Sequence, residues 1–387
     1  MYYILNLGGS IYMYKTFRFR MYPNQDQIIL INKTFGCSRF IYNYFLDKCK
    51  KNGYTSCFDM IKELPSLSLE YEWLKEVDSC SLRCSLFNLE DAFKNFFSKR
   101  SNYPIFKNKF SRQSYRTNCI TGEYKGKKYS NVLVDLINKK IKLPKLGLVD
   151  IRGYRNLEVI NGKIMNVCVV KETTGKYYCN VLYDMIETKG EKVKPKWMVG
   201  IDLGVKDLVV TSNGEKFSNP KEIKRFEKRI KRLQRKLARQ IKGSSNYNKT
   251  KIKLSKLYSK LKNSRKHNII NIVNKLLEEN DIIVSENLDV KRMTHKSNLA
   301  KNILDASFSK ICNMLEYKSK IKGKYYYKID PYFPSSKICC HCGEKTEETK
   351  NLGVREWECS KCHSINDRDI NASINIMFEG LKVHFEK

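Results

Sequence analysis

Histidine is scarce in this chain, with five residues in 387. An HNH nuclease needs more imidazole than that, and so does a strand transferase that sets a tyrosine nucleophile beside a histidine-rich metal site. Acidic residues are outnumbered as well, 40 Asp and Glu against 74 Lys and Arg, for a formal net charge of +34. No apolar run approaches the roughly 18 residues that span a bilayer. The mildly apolar opening from Met1 to Tyr14 has neither a basic leader nor a small-residue cleavage site, so no signal peptide is read. Met13 is an alternative start to Met1. What remains is a chain long enough for two or three domains with full cores. Its apolar and aromatic content rules out general disorder. The cationic excess calls for a polyanionic partner, nucleic acid first; a basic ribosomal or membrane-surface protein is the plainer reading.

Cysteine, by contrast, is plentiful, at fourteen. Ten are not needed for any spacing pattern; Cys37, Cys49, Cys57, Cys80, Cys84, Cys119, Cys168, Cys179 and Cys312 lie in apolar surroundings, and a protein of this size needs no staples, so they read as reduced thiols in a cytosolic protein. The other four form two pairs, Cys339-x-x-Cys342 and Cys359-x-x-Cys362, with sixteen residues between them (343–358). That is the spacing of a four-thiolate zinc ribbon. Four thiolates fill the tetrahedral shell of Zn²⁺, so this metal staples hairpins and performs no chemistry. Cys340 reads as a spare thiol inside the first knuckle. His341 and His363 are substitute ligands that two complete pairs make unnecessary.

Periodicity divides the chain. Lys15 to Arg20 alternates as a strand closed by Pro23. Ile28, Ile31, Phe35, Ile41, Tyr44 and Phe45 keep helical spacing, as do Leu82, Leu86, Leu89, Phe93 and Phe96 after a connection near Pro65. From about 117 to 187 short β segments follow, over 132–136, 140–143, 167–171 and 177–182, expected to form a small barrel or sheet that recruits the first strand. A polar stretch over 189–196 marks a boundary. Beyond it come strands over 197–205 and 207–211, with Asn213-Gly214 signalling a type I′ hairpin. Further strands are read at 282–288 and 325–330, and Ile370, Ile374, Met377 and Leu381 space a closing helix.

Between residues 219 and 267 nineteen Lys or Arg face only Glu222 and Glu227. Ile223, Phe226, Ile230, Leu233, Leu237 and Ile241 keep a 3–4 spacing through them, so the segment reads as an amphipathic helix broken near Gly243-Ser244-Ser245 and then resumed. Solvated faces usually mix signs. This one does not, and Lys224, Arg225, Lys228, Arg232, Arg235 and Arg239 are therefore expected to contact phosphates.

Asp202, Glu286 and Asp369 each lie within or after an apolar element, separated by long insertions. Any one alone is more often a cap or an ion-pair partner. Together they suit a two-metal nuclease, because two Mg²⁺ ions about 4 Å apart need several carboxylates to balance them.

Several motifs converge on one family. Gly200-Ile201-Asp202-Leu203-Gly204, Ser285-Glu286-Asn287-Leu288, Pro334-Ser335-Ser336, Cys342-Gly343 and Asp367-Arg368-Asp369-Ile370-Asn371-Ala372 resemble those of TnpB proteins. These are transposon-associated, RNA-guided nucleases, often labelled OrfB-type transposases and related to type V CRISPR effectors. The opening Arg18-Phe19-Arg20, Pro23, Gln27, Phe35, Arg39, Tyr42 and Asn43 resembles theirs as well, so the likeness spans nearly the whole chain. Asn366 and Ser373 depart from the common pattern without removing a carboxylate.

The resemblance implies a bilobed protein of α/β class with β-barrel and helical parts: a split RuvC (RNase H-like) nuclease domain and an inserted four-Cys zinc ribbon. The implied layout is a first barrel strand at 1–22, a helical recognition domain at 23–115, the rest of the barrel at 116–195, and the nuclease at 196–387. The nuclease would carry the basic helices at 219–267 and the ribbon at 335–364. Asp202, Glu286 and Asp369 would be catalytic, with Asp367 an auxiliary acid or a helix cap. Mg²⁺, two ions with Mn²⁺ as substitute, would serve cleavage, and Zn²⁺ would be structural. The implied partners are a guide RNA and double-stranded target DNA, bound by a monomer, with self-association as the alternative, in a prokaryotic cytosol or nucleoid. A compact CRISPR effector and a nuclease-inactive guided regulator are the rival readings; the intact acids argue against the second.

Overall fold

The computed structural model describes all residues except 1–4, 8–9, 125, 154–161, 189–191, 296–299, 348, 350, 352 and 386–387. Met1, and the 189–191 portion of the expected boundary, lie outside the described residues. The chain divides into two compact units, Met1–Thr188 and Lys189–Lys387.

In the first unit β1 (Leu5–Leu7) and β2 (Ser10–Tyr22) precede three helices, α1 (Gln25–Asn52), α2 (Cys57–Glu70) and α3 (Ser79–Phe97). The strands β3 (Gln113–Asn118), β4 (Thr121–Tyr124), β5 (Lys127–Ser130), β6 (Leu133–Asp135), β7 (Lys140–Leu143), β8 (Gly147–Arg152), β9 (Gly162–Lys171) and β10 (Tyr177–Thr188) follow. β2 pairs antiparallel with β10 along its whole length. Its alternation sends Phe17, Phe19 and Met21 into the core while Arg18 and Arg20 stay toward solvent, and each such burial is worth about 1.5–3 kcal/mol.

The barrel expectation is corrected. The described strands form an open eight-stranded sheet in the order β3-β9-β10-β2-β8-β7-β6, with β1 on β2. No pairing between β3 and β6 is seen among the described residues. The outer edge of β3 is spent on α3 instead: the Asn118 amide donates to Cys80 Sγ at 3.3 Å, and Thr117 Oγ1 to Asp78 Oδ2 at 2.6 Å. Helix α1 starts in a capping box of Asn24 and Gln27. The Gln27 amide also donates to the Leu146 and Leu148 carbonyls at 3.3 and 2.8 Å, tying the helix to the sheet. Pro65 lies inside α2 and not in a connection. Burial of Met60, Leu64 and Leu67 on either side of it outweighs the ~3 kcal/mol that an interior proline costs.

In the second unit a five-stranded sheet has the order β13-β12-β11-β14-β15. Its strands are β11 (Met198–Asp202), β12 (Asp207–Thr211), β13 (Lys216–Ser218), β14 (Ile282–Ser285) and β15 (Tyr325–Lys328). β11, β12 and β13 form an antiparallel meander, while β11, β14 and β15 run parallel. Parallel strands need crossovers, supplied first by α4 (Glu222–Ala238) and α5 (Ser245–Glu279), then by α6 (Val290–Thr294), α7 (Ala300–Ala306) and α8 (Phe308–Ile321). β14 is buried along its whole length, as a covered parallel strand should be. The β12–β13 turn differs from the expected type I′. Only Gly214 has positive φ (83°), with its amide on the Thr211 carbonyl and the Thr211 amide on Glu215, so this is a type I turn closed by a glycine bulge.

After β15, a short hairpin of β16 (Glu356–Glu358) and β17 (Ile365–Asp367) leads into the closing helix α9 (Arg368–Phe385). The helix is where the periodicity put it, but its buried residues include Asn371, Ala372, Ser373, Asn375, Ile376 and Gly380. The larger Ile370, Ile374, Met377 and Leu381 are only partly covered. A helix lying this close to a sheet needs small residues at the contact.

Candidate active site and metal centre

Asp202 is the last residue of β11, and Glu286 directly follows β14. The two strands are adjacent and parallel with Ile201 opposite Ser285, so the next position on each strand presents a carboxylate at the same sheet edge. Asp369 comes from the first turn of α9. The tight contact between α9 and the sheet brings it to the same place. A Cβ on Gly200 would lie 2.6 Å from the Met377 amide nitrogen, and one on Gly380 would overlap the side chain of Val284.

Asp202 senses the other two acids. The Asp202 carboxyl is pushed up to about 7, first by burial, then by the charges of Glu286 and Asp369; the Leu203 amide and Arg368 oppose this. The residue keeps some solvent exposure, but its carboxyl is enclosed by protein atoms. Like charges held this way are costly unless a cation joins them, so the donor set fits divalent metal. The carboxylates are not drawn together as tightly as the thiols described below. Glu286 Oε1 accepts from Ser335 Oγ, and Arg355 Nη1 donates to Asp369 Oδ2 at 3.0 Å and Oδ1 at 3.3 Å.

Asp367 does different work. Its Oδ1 accepts the amides of Asp369 and Ile370, both at 3.0 Å, capping α9, and its Oδ2 pairs with Lys216 at 2.5 Å. Burial works to raise this carboxyl, but Lys216 and the helix amides outweigh it and hold it below the usual range. Arg368, between the two acids in sequence, donates to the Asn351 carbonyl at 3.1 Å.

Cys339, Cys342, Cys359 and Cys362 place their sulfurs within 4.8 Å of one another, and among the described residues this is the one set of three or more potential metal ligands so close. Cys339 and Cys362 are 3.7 Å apart, and Cys342 and Cys359 are 3.5 Å apart. Tetrahedral Zn–S bonds of about 2.3 Å require edges of about 3.8 Å, so the set fits zinc. The two knuckles repeat one geometry. The Gly343 amide returns to the Cys339 carbonyl and the His363 amide to that of Cys359, both at 2.9 Å, with Gly343 at φ 75° and His363 at φ 57°. The His363 ring faces Glu358 at 3.0 Å and so stands outside the sulfur cluster. Cys340 is tied by its amide to Asn371 Oδ1 at 2.8 Å. Asn371 and Asn375 both donate to the Ile338 carbonyl, at 2.7 and 2.6 Å, and clip the first knuckle to α9.

The basic hairpin packs Ile223, Phe226, Ile230 and Leu233 of α4 against Leu254, Leu257 and Leu261 of α5. Its start is fixed by buried acids: Glu222 accepts from Ser264 at 2.6 Å, and Asp305 accepts the Ile223 amide at 3.2 Å and pairs with Arg265. Lys224, Arg225, Lys228, Arg232, Arg235 and Arg239 are all exposed, and none forms an ion pair among the described residues. They do not join the carboxylate cluster.

Sequence reasoning missed Ser335, Arg355, Lys216 and the packing role of Gly200. Ser335 and Gly200 stood inside quoted motifs, so the signal was present; Arg355 and Lys216 gave none, because their partners are distant in sequence.

A fold with a meander, two further parallel strands and acids at their carboxyl ends defines an α/β domain built to bind a ligand at that edge. Comparison with known proteins carries the assignment further. Residues 180–297 match the OrfB family described as "Probable transposase", residues 308–376 match the "Cas12f1-like, TNB domain", and residues 13–55 match an OrfB "Helix-turn-helix domain". In this chain that last segment is a strand followed by one helix. A "Putative RNA-guided DNA endonuclease" of Streptomyces pristinaespiralis is 32% identical over 377 residues, covering 95% of this chain and 89% of that protein. A protein named "Putative RNA-guided DNA endonuclease InsQ" of Escherichia coli (strain K12) is 29% identical over 390 residues, covering 95% and 92%. The chain belongs to the OrfB/TnpB family. Its fold is that of the protein in a solved Cas12f1-sgRNA-target DNA complex, with a TM-score of 0.56, 14% identity, and coverage of 96% of this chain and 99% of that one.

Proposed function

We propose that this chain is an RNA-guided DNA endonuclease with a RuvC-like active site formed by Asp202, Glu286 and Asp369. The observation that carries the reading is the convergence of these three acids, from β11, the end of β14 and α9, where burial and then the charges of Glu286 and Asp369 push Asp202 up to about 7. A structural role would pair such acids with cations. Of the three, only Asp369 forms an ion pair among the described residues, with Arg355.

The three carboxylates would hold Mg²⁺, or Mn²⁺ in its place. Two such ions would supply activation of water and charge stabilisation for hydrolysis of a DNA phosphodiester. Ser335 fixes the rotamer of Glu286, and Asp367, as the α9 cap, fixes the backbone that carries Asp369. Lys224, Arg225, Lys228, Arg232, Arg235 and Arg239 hold phosphates, and Zn²⁺ on the four thiolates is structural. The names of the Streptomyces and Escherichia relatives support RNA guidance. Target choice then rests on pairing between a guide RNA and double-stranded DNA, with the protein reading a short flanking motif. The helical part near 23–115 and the sheet strands at 1–22 and 116–195 are the proposed readers, and the region from 196 on the nuclease. The chain would act as a monomer on its guide, in the cytosol or nucleoid.

The test is to sequence the RNA that copurifies with the full chain and to offer DNA complementary to it with Mg²⁺. Cleavage that follows the RNA's sequence is expected. Cleavage of unrelated DNA at the same rate contradicts guidance.

A further inference from the structure

Between α3 and β3 the chain runs without regular structure from Ser98 to Arg112. Irregular connections of this length inside a compact unit are uncommon and are mostly functional or disordered. This one is anchored at close intervals. The Asn43 side chain brackets Lys107, accepting its amide and donating to its carbonyl, both at 2.8 Å. The Lys107 ammonium sits 3.5 Å from the centre of the Tyr42 ring. Tyr103 packs edge-on against Phe93 and Phe96, and Asn108 Oδ1 accepts the amides of Phe110 and Ser111 at 2.8 and 3.0 Å. Yet this fixed segment holds apolar groups toward water: Ile105 is 80% exposed, Phe106 47% and Phe110 64%, the last with the Lys109 ammonium 5.4 Å from its ring centre.

Charge complementarity selects the occupant. The segment carries Lys99, Arg100, Lys107, Lys109 and Arg112 and no acid. A protein ligand would need matching acids around an apolar centre. A duplex would meet the cations but leave the rings uncovered, because its base faces are already stacked. Unpaired nucleotides satisfy both, with bases on the rings and phosphates on the cations. We infer that the 98–112 segment is a stacking platform for unpaired RNA nucleotides, with Phe106 and Phe110 as its base-contacting rings and Lys109 as a phosphate contact. The choice of RNA over DNA rests on the proposed function.

The test measures binding of fluorescein-labelled, mixed-sequence single-stranded RNA, the same sequence as DNA, and the RNA duplex, by the full chain and its variants. Phe110→Ala is expected to weaken single-stranded RNA binding by roughly 5- to 150-fold, the range of one base-stacking contact, and Phe106→Ala similarly, with unchanged circular dichroism. Phe110→Trp should restore affinity. Lys109→Gln should flatten the salt dependence, whereas Phe110→Ala should leave its slope unchanged. If wild type binds RNA and both alanine variants bind it equally well, the platform is overturned while RNA guidance stands. If loss is confined to the DNA strand or to the duplex, RNA as occupant is overturned. Failure of the wild type to bind any RNA would overturn RNA guidance itself.

Discussion

Gly200 and Ser373 touch backbone to backbone: a Cβ on Gly200 would overlap the Ser373 carbonyl oxygen. This contact seats α9 on β11 and thereby fixes the distance between the acids two residues after Gly200 and four before Ser373. Neither backbone can yield without moving Asp202 or Asp369. Gly200→Ala is therefore expected to destabilise the second unit by about 3 kcal/mol or more, at the upper end of overpacking costs, and to abolish cleavage. Urea unfolding followed by tryptophan fluorescence measures it; a change of a few tenths of a kcal/mol would mean that α9 can slide.

Asp202 predicts a pH effect on stability. Its folded carboxyl titrates near 7, against an ordinary value of 3.8. Below the ordinary value the acid is protonated whether folded or not and has no effect. As pH rises toward 7, the unfolded chain releases the proton first, so folding loses stability through that window and the loss is complete above it. Asp202→Asn removes the titrating group. The melting temperatures of wild type and variant should converge below pH 4, and the variant should melt higher above pH 7, in buffer without added Mg²⁺. Parallel curves would contradict the burial of that carboxyl.

The thiol cluster makes a compositional prediction. Cys359→Ser should lose zinc, as read by elemental analysis, and should destabilise the second unit because metal binding contributes folding energy. His363→Ala should keep zinc, since that ring faces Glu358. Loss of zinc in the His363 variant would reassign the ligand set.

The cationic face of α4 predicts a salt effect. Replacing Lys228, Arg232 and Arg235 with Gln should weaken nucleic-acid binding across all sequences. Each lost phosphate contact should lower the slope of log affinity on log salt by roughly 0.7 to 0.9. Folding should survive, because the packed face of Ile223, Phe226, Ile230 and Leu233 is untouched. An unchanged slope would make the face merely solvated.

What could be read in advance followed from how local each signal is. The Cys pairs, the 3–4 spacing from Ile223 to Leu233 and the alternation of Phe17 and Phe19 are short-range patterns, and the folded chain keeps them, whereas Ile241 falls past the end of α4 and is exposed. Pro65 misled because its penalty is local while the burial of Leu64 and Leu67 that overrides it is not. The barrel misled for a similar reason, since short alternating strands do not say whether β3 will find a strand or the side of α3. In α9 the large residues drew attention to one face, but Gly380, Ala372 and Ser373 make the close contact, and small residues leave little trace in hydrophobic periodicity. Of the acids, Asp202 and Glu286 were marked by their strands. The family resemblance already set Asp367 apart from Asp369, as an auxiliary acid or a helix cap, and the α9 amides on Asp367 show the capping.

That separation leads to the most direct measurement, Mg²⁺-dependent cleavage of guide-complementary DNA by Asp202→Ala, Glu286→Gln, Asp369→Ala and Asp367→Asn, with nucleic-acid affinity measured alongside. The first three should lose cleavage and keep affinity, because they hold metal and contribute little to phosphate binding. Asp367→Asn should retain measurable cleavage, since an amide oxygen can still accept the α9 amides that its carboxylate caps. Cleavage at the wild-type rate by the Asp369 variant, with loss in the Asp367 variant, would contradict the assignment of the third acid, and wild-type cleavage by the Asp202 variant would contradict the active site as a whole.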